Sequence, residues 1–176
     1  MRNLFSTLPT LSGARLTLRP LVPSDAPALS ELTDNPRVYR FLPTFLFEKK
    51  YPDAKTVIAR LYTECIKDSV ILGVFEGDSF LGLAEFCGYR APIRKISVGY
   101  RLIERAWGRG IATETLGVMI DYLYNETDIE IVTASTMCEN AASAGVLRKN
   151  GFSLVVHDVG EDWGYPSPTP TDKWIR

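Results

Sequence analysis

From Lys95 to Ile103 the chain alternates, with Ile96, Val98, Tyr100 and Leu102 apolar against Lys95, Ser97, Gly99 and Arg101. That is the period of a strand with one covered and one polar face. Further on the period changes: Ile111, Leu116, Met119, Ile120 and Leu123 recur at helical spacing, which predicts a helix from Ile111 to about Tyr124. The residues between and just after, Arg105-Ala-Trp-Gly-Arg-Gly-Ile-Ala-Thr-Glu114, form a glycine-spaced strand-to-helix turn. The rest of the chain is arranged around this turn.

On the N-terminal side, Arg15-Leu-Thr-Leu-Arg-Pro-Leu21 predicts a first strand, and Ser24-Asp25 caps a helix running to about Leu32 with Pro27 in its first turn. Asn35-Pro36 opens a short helix ending near Phe41. Leu42 to Lys50 is a connection holding Pro43, Phe45 and Phe47. Tyr51-Pro52-Asp53 starts another helix, whose stripe of Val57, Ile58, Leu61, Tyr62 and Cys65 reads as core. Ser69 to Phe75 and Phe80 to Tyr89 are strands joined by the turn Glu76-Gly-Asp-Ser79, and Arg90-Ala-Pro-Ile-Arg94 leads into Lys95 to Ile103. The middle of the chain is therefore an antiparallel meander.

After the Ile111 helix, Ile129 to Thr136 is a further strand, completing a strand–helix–strand unit with a parallel crossover. Asn140 caps a helix from Ala141 to about Lys149, closed by Asn150-Gly151, and Phe152 to Val159 is the last strand. The proline- and glycine-rich stretch from Gly160 to Thr171 reads as a loop before a short Asp172-Lys-Trp-Ile-Arg176 end. With no repeat, low-complexity tract or linker, the expectation is one α/β domain over residues 1–176 with a mixed sheet.

Composition narrows the partners. With 45% hydrophobic residues the chain can bury a sizeable core. Twenty basic against twenty-one acidic side chains argue against a nucleic-acid binder built on bulk charge. Cys65, Cys87 and Cys138 are scattered, odd in number and without Cys-x-x-Cys spacing, so neither a disulfide framework nor a metal site is expected. Met-Arg-Asn-Leu-Phe-Ser leads into no long apolar run, and no stretch reaches spanning length without charges, so the expectation is a cytoplasmic protein that binds no membrane.

A glycine-spaced turn opening into a helix is an anion site. The first N–H groups of the helix lack internal partners and carry partial positive charge, and glycines let the backbone approach a phosphate closely. Arg105 and Arg109 can add charge from the same turn. The plainer reading is a tight connection and nothing more. The P-loop pattern is absent, and Thr113 stands where a dinucleotide fingerprint needs its third glycine. A dinucleotide fold would also begin with its parallel unit, not a meander.

Arg105-x-x-Gly108-x-Gly110 resembles the pyrophosphate-binding signature of the GNAT superfamily of N-acetyltransferases, and Trp107-Gly-Arg-Gly-Ile-Ala-Thr-Glu114 is similar to its RimJ/RimL-like ribosomal-protein branch. Arg15-Leu-Thr-Leu-Arg-Pro-Leu with Ser24-Asp25-Ala26 resembles the first strand and helix of that branch, and Val98-Gly-Tyr100 the splayed strand before the signature. Asn140-Ala-Ala-Ser143, ending in Lys149-Asn-Gly-Phe152, resembles the second cofactor motif. The resemblance runs from about Arg15 to Phe152.

It implies a GNAT-like fold with splayed central strands and helices on both faces. It also implies acetyl-CoA as co-substrate, an amine acceptor, no metal, and a monomer or homodimer. The amides of Ala106, Trp107, Gly108, Arg109, Gly110, Ile111 and Ala112 would cradle the coenzyme A pyrophosphate beside Arg105. Main-chain atoms around Val98, Tyr100 and Leu102 would pair with the pantetheine arm like an added strand, and the N–H near Leu102 would polarise the acetyl carbonyl. Asn140 would bond the pantetheine as well as cap its helix, and Ser143 would reach the thioester sulfur. The amine would attack directly, with a base for the ammonium and an acid for the thiolate.

The sequence departs from many relatives at the acid, where Leu147 replaces a tyrosine. Ser135 stands where some amino-terminal acetyltransferases carry a glutamate. Three carboxylates are candidate bases: Asp162, counted on from Phe152, its neighbour Glu161, and Glu85 if it faces the cleft. His157, the only histidine, reads as structural. The other function compatible with these departures is a non-catalytic acyl-CoA-binding module. The acceptor stays open between protein N-termini and small amines, with the aromatic connection around Phe41, Phe45, Phe47 and Tyr51 on its side. The tail Tyr165-Pro-Ser-Pro-Thr-Pro170 is placed as a lid or a subunit contact.

Overall fold

The computed structural model describes residues 7–44, 46–64 and 69–176. The N-terminal hexapeptide, Phe45 and Cys65 lie outside the described residues.

The alternating segments form strands β1 (Leu11–Ser12), β2 (Leu16–Arg19), β3 (Ser69–Glu76), β4 (Ser79–Arg90) and β5 (Lys95–Leu102), followed by β6 (Ile131–Met137), β7 (Ser153–Glu161) and β8 (Thr169–Ile175). The helices are α1 (Ala26–Thr33), α2 (Ala54–Thr56), α3 (Tyr62–Glu64), α4 (Ile111–Glu126) and α5 (Ala141–Lys149). All eight strands join one sheet in the order β1-β2-β3-β4-β5-β6-β8-β7. β1 to β5 run antiparallel, β6 lies parallel to β5 across the α4 crossover, and β8 enters between β6 and β7.

Two features of this sheet position the site. The first is that β5 and β6 pair only over Lys95–Ser97 against Ile131–Thr133 and then part. The side chains of Ser97 and Thr133 hydrogen-bond at the fork, 2.8 Å apart. Across from the fork β4 has a bulge between Cys87 and Arg90, and such extra residues bend and twist a ribbon. The second is that the sheet is covered on both faces. Val70, Leu72 and Phe86 line one face under α4, where the Phe86 and Tyr122 ring centroids are 6.0 Å apart. Buried Phe and Leu side chains of this kind each contribute about 1.5–3 kcal/mol. The opposite face carries Ile71, Leu83, Glu85 and Arg101, and Arg101 meets a carboxylate that Tyr62 of α3 also contacts.

The structure differs from the sequence pattern in four places. The stretch read as a proline-rich loop ends in a full strand, β8, because Thr169, Thr171 and Asp172 occupy buried positions beside Trp174 and hide its amphipathic signal. The helix begun by Asp53, which caps Thr56 N at 2.7 Å, passes through a π-helical turn over Val57–Leu61 between α2 and α3. Asn35 opens a 3-10 turn over Val38–Phe41, not an α-helix. Arg101, on the polar side of its alternation, is 6% exposed.

Candidate functional site

The turn between β5 and α4 begins with a 3-10 segment over Glu104–Ala106. There Ala106 N donates to Ile103 O and Trp107 N to Glu104 O, both at 3.0 Å. These two amides, expected in the anion cradle, therefore close the turn, and Ala106 is buried. Gly108 and Gly110 have φ of 69° and 77°, the left-handed region that a Cβ disfavours. No Cβ contact lies within 4 Å at Gly108, and at Gly110 the nearest is the Arg15 guanidinium at 3.9 Å. The first helical bond runs from Glu114 N to Gly110 O. The amides of Gly108, Arg109, Gly110, Ile111, Ala112 and Thr113 have no hydrogen-bond partner among the described residues. Six consecutive donors at the positive end of a 16-residue helix make a site for a polyanion.

Side chains brace this turn. Glu114 accepts from Arg15 N (2.7 Å), Arg15 Nε (2.8 Å) and Leu16 N (3.2 Å), so the first turn of α4 is tied to the start of β2. Burial raises the Glu114 carboxyl, and these bonds outweigh it and hold it below its ordinary value. Trp107 Nε1 donates to Leu102 O at 2.8 Å. The two arginines point elsewhere: Arg109 pairs with Glu76 at 2.6 Å, and Arg105 reaches Phe80 O at 3.1 Å and Glu31 at 3.4 Å. These ion pairs are half exposed and weak, so an incoming anion can recruit either guanidinium.

The gap beyond Ser97 and Thr133 opens beside this cradle. Ile103 N bonds Leu81 O of the β4 side, and in an antiparallel ladder alternate residues turn their N–H and C=O to opposite edges. Val98, Tyr100 and Leu102 consequently present their main chains to the gap. Across the gap Asn140 caps α5, its Oδ1 accepting from Ser143 N at 3.1 Å, which leaves its side-chain NH2 as a donor. Ser143 Oγ and Tyr100 OH are 3.1 Å apart, a pairing that the sequence did not suggest. Burial raises the Tyr100 hydroxyl, and the bond to Ser143 lowers it in part. Leu147, one turn further on, is buried in the core.

The other face of the sheet carries acid–base groups. Arg101 Nη2 donates to Glu48 Oε1 at 2.5 Å, Tyr62 OH donates to the same oxygen at 3.1 Å, and Arg101 Nη1 donates to Tyr39 OH at 3.4 Å. Burial pushes Glu48 up, but the adjacent Arg101 guanidinium dominates and holds the carboxyl below its ordinary value. This network also lay outside the sequence reading, since neither Glu48 nor Arg101 carries a local motif. Glu85 shares that face, standing opposite Gly99, where the space a side chain would take is empty to 4 Å. Burial raises the Glu85 carboxyl, and Arg101 only partly opposes this.

The other two candidate bases are engaged. Glu161 Oε2 accepts from Trp163 Nε1 at 2.8 Å and Lys173 Nζ at 2.5 Å, while exposed Asp162 closes a turn with Gly164 N at 2.9 Å. Their loop is fastened to the connection after Phe41: Thr44 N donates to Trp163 O at 2.9 Å and Tyr165 OH to Leu42 O at 3.1 Å. Ser135 is exposed and accepts from Lys173 Nζ at 3.0 Å.

Comparisons with known proteins give the family and the fold. The N-acetyltransferase YoaA of Bacillus subtilis is 26% identical over 168 residues, 93% of each chain. A Salmonella typhimurium acetyl transferase that modifies the N-terminal serine of ribosomal protein L7/L12 superimposes with a TM-score of 0.81 at 18% identity, over 96% of this chain and 98% of that one. Spermidine N-acetyltransferase from Vibrio cholerae, in complex with CoA and spermine, gives 0.77 at 19% identity over 93% and 95%. A family model for the acetyltransferase (GNAT) domain matches residues 15–153, from the strand that Glu114 braces to the helix that Asn140 caps, and the chain belongs to that family.

Proposed function

We propose that this chain, acting as one domain, transfers the acetyl group of acetyl-CoA to a primary amine by direct attack in the cytoplasm. The observation that carries the reading is the row of six unpartnered amides from Gly108 to Thr113 at the mouth of the gap between β5 and β6. The row fits a pyrophosphate in donor number, field and steric access. The gap edge at Val98, Tyr100 and Leu102 offers strand-like pairing to an amide-bearing arm, and the Asn140 NH2 offers one more donor. To the Leu102 N–H we assign polarisation of the acyl oxygen.

Proton handling divides between the two faces. Glu85, with its raised carboxyl, is the base we assign, directly or through water. Ser143, hydrogen-bonded to Tyr100, holds a proton on the α5 face for the departing thiolate, the place left vacant by Leu147. The amine enters over Gly99, from the face where Glu85 and the Arg101–Glu48 pair lie. Relatives of the same fold act on a ribosomal-protein N-terminus and on spermidine, so both acceptor classes belong in the first screen.

The test is thiol release from acetyl-CoA with N-terminal peptides, polyamines and aminoglycosides as acceptors. Amine-dependent release supports the reading. Stabilisation by coenzyme A with no amine-dependent release would replace it with a non-catalytic acyl-CoA-binding module.

A further inference from the structure

Cys138, His157 and Asp172 play no part in the acetyl-transfer reading, yet the C-terminal strands bring them together. Cys138 follows the last residue of β6, His157 lies in β7, and Asp172 lies in β8 between them. Asp172 Oδ1 is the hub: His157 Nδ1 is 2.7 Å away, and Cys138 Sγ and Asp158 N donate to it at 3.2 and 3.3 Å. One ligand atom from each of the three side chains lies within 4.8 Å of the other two.

The backbone is shaped for this. Pairing of β7 with β8 jumps from Val156↔Lys173 to Val159↔Thr171, leaving His157 and Asp158 as a bulge. Asp158 has φ of 55°, a left-handed conformation unfavourable for a residue with a Cβ. Bulges re-aim side chains, and this one brings His157 to Asp172, whose side chain is 10% exposed. Cys138 is fixed from the other side, its N–H donating to Pro170 O at 3.0 Å.

We propose that these three residues form a binding site for a divalent ion of the zinc class. Sulfur, imidazole nitrogen and carboxylate oxygen together suit Zn2+ or Co2+, whereas Mg2+ and Ca2+ prefer all-oxygen sets. Two ligands on a tetrahedral zinc, at roughly 2.0 and 2.3 Å from it, stand about 3.5 Å apart. The separations of 2.7 and 3.2 Å from Asp172 must therefore open by roughly half an ångström, the first by rotation of the 70% exposed His157 side chain and the second by a small rotation of the Cys138 side chain. Binding releases the thiol proton of Cys138 to solvent, and water fills the fourth position. An ion here ties the end of β6, two residues before Asn140, to β7 and β8. Cysteine spacing along the sequence could not show the site, because its ligands meet only through strand order.

The full-length reduced protein, stripped with chelator, is titrated with Zn2+ by calorimetry and with Co2+ by absorption. One equivalent of Zn2+ and a near-ultraviolet thiolate-to-cobalt band are expected. Cys138→Ser should abolish the band, and Cys138→Ser and His157→Ala should each weaken Zn2+ binding at least about 10-fold, with Cys87→Ser as an unchanged control. Zinc at 100 times its dissociation constant should raise the melting temperature by about 5–10 °C in wild type and not in Cys138→Ser. Substoichiometric zinc, or equal binding by wild type and both His157→Ala and Cys138→Ser, overturns the proposal. His157 is exposed, so its variant tests the site without disturbing the fold.

Discussion

Arg101 on β5 and Glu48 in the 3-10 turn Phe47–Lys50 form a buried ion pair, 2.5 Å between Nη2 and Oε1, with both side chains about 5% exposed. The pair joins the strand that edges the gap to the segment that carries the other face of the site. Removing one member leaves an uncompensated buried charge, which typically destabilises by about 3–5 kcal/mol. Arg101→Met and Glu48→Leu should each show a loss of that size in urea denaturation. The double variant should recover part of it, because no buried charge is left alone, while the Tyr62 hydroxyl loses the carboxylate to which it donates.

The same pair gives a pH dependence. Glu48 has a depressed carboxyl in the folded state, so its contribution is present above the ordinary glutamate value and is lost as pH falls through the lowered one. Stability measured from pH 7 downward should therefore fall in the acid range. Glu48→Gln should start lower and show a shallower acid limb. A variant as steep as wild type would show that another carboxylate carries the acid transition.

Glu85 has the opposite sign. Its carboxyl is raised, so the stability that its neutral form contributes below the ordinary value is lost as pH rises through the raised one. Glu85→Gln should consequently be more stable than wild type at neutral and alkaline pH. As the assigned base, Glu85 should give kcat/KM that rises with pH through the same raised value. Glu85→Gln should lose about 10²–10⁴-fold in kcat/KM and the acid limb of the profile. A gain in stability without loss of activity would move the base to water or to another group.

How legible was this architecture? The meander, the crossover and the Asn140 cap follow from period, turn chemistry and capping, all local along the chain, and β3, β4, β5, α4 and α5 fall within a few residues of where these place them. β8 was hidden because Thr171 and Asp172 are buried polar residues, which alternation counts as solvent-facing. Arg101 was misread for the same reason: a charge that finds a partner 53 residues away in sequence looks like a surface residue until the partner is seen. At the cradle the glycine spacing located the turn, but not the 3-10 bonds that engage the amides of Ala106 and Trp107 and shift the open donors to Gly108 through Thr113.

That shift sharpens what glycine substitutions should do. Gly110→Ala places a Cβ on a left-handed residue, where the cost is about 1 kcal/mol and the methyl group has room. Gly108→Asp adds a carboxylate in the middle of the amide row and repels a polyphosphate. Calorimetry with coenzyme A should show modest weakening for Gly110→Ala and loss of more than about 100-fold for Gly108→Asp, roughly 2.7 kcal/mol. Tight binding by Gly108→Asp would place the pyrophosphate elsewhere.

The Ser143–Tyr100 pair separates binding from chemistry. Ser143 Oγ is 3.1 Å from Tyr100 OH and its N–H is engaged by Asn140 Oδ1, so Ser143→Ala removes one hydroxyl and leaves the α5 cap in place. If that hydroxyl protonates the leaving thiolate, the change acts in the transition state and lowers kcat, with KM for acetyl-CoA nearly unchanged. Tyr100→Phe should give a smaller loss in the same direction, because it removes only the group that orients Ser143. A general acid contributes about 10²–10⁴-fold, so kcat for Ser143→Ala should fall into that range with an acceptor whose thiolate release is rate-limiting. Steady-state kinetics at saturating acceptor decide between outcomes. An unchanged kcat with a raised KM for acetyl-CoA would make the serine a binding group, and the proton would then reach the thiolate from water.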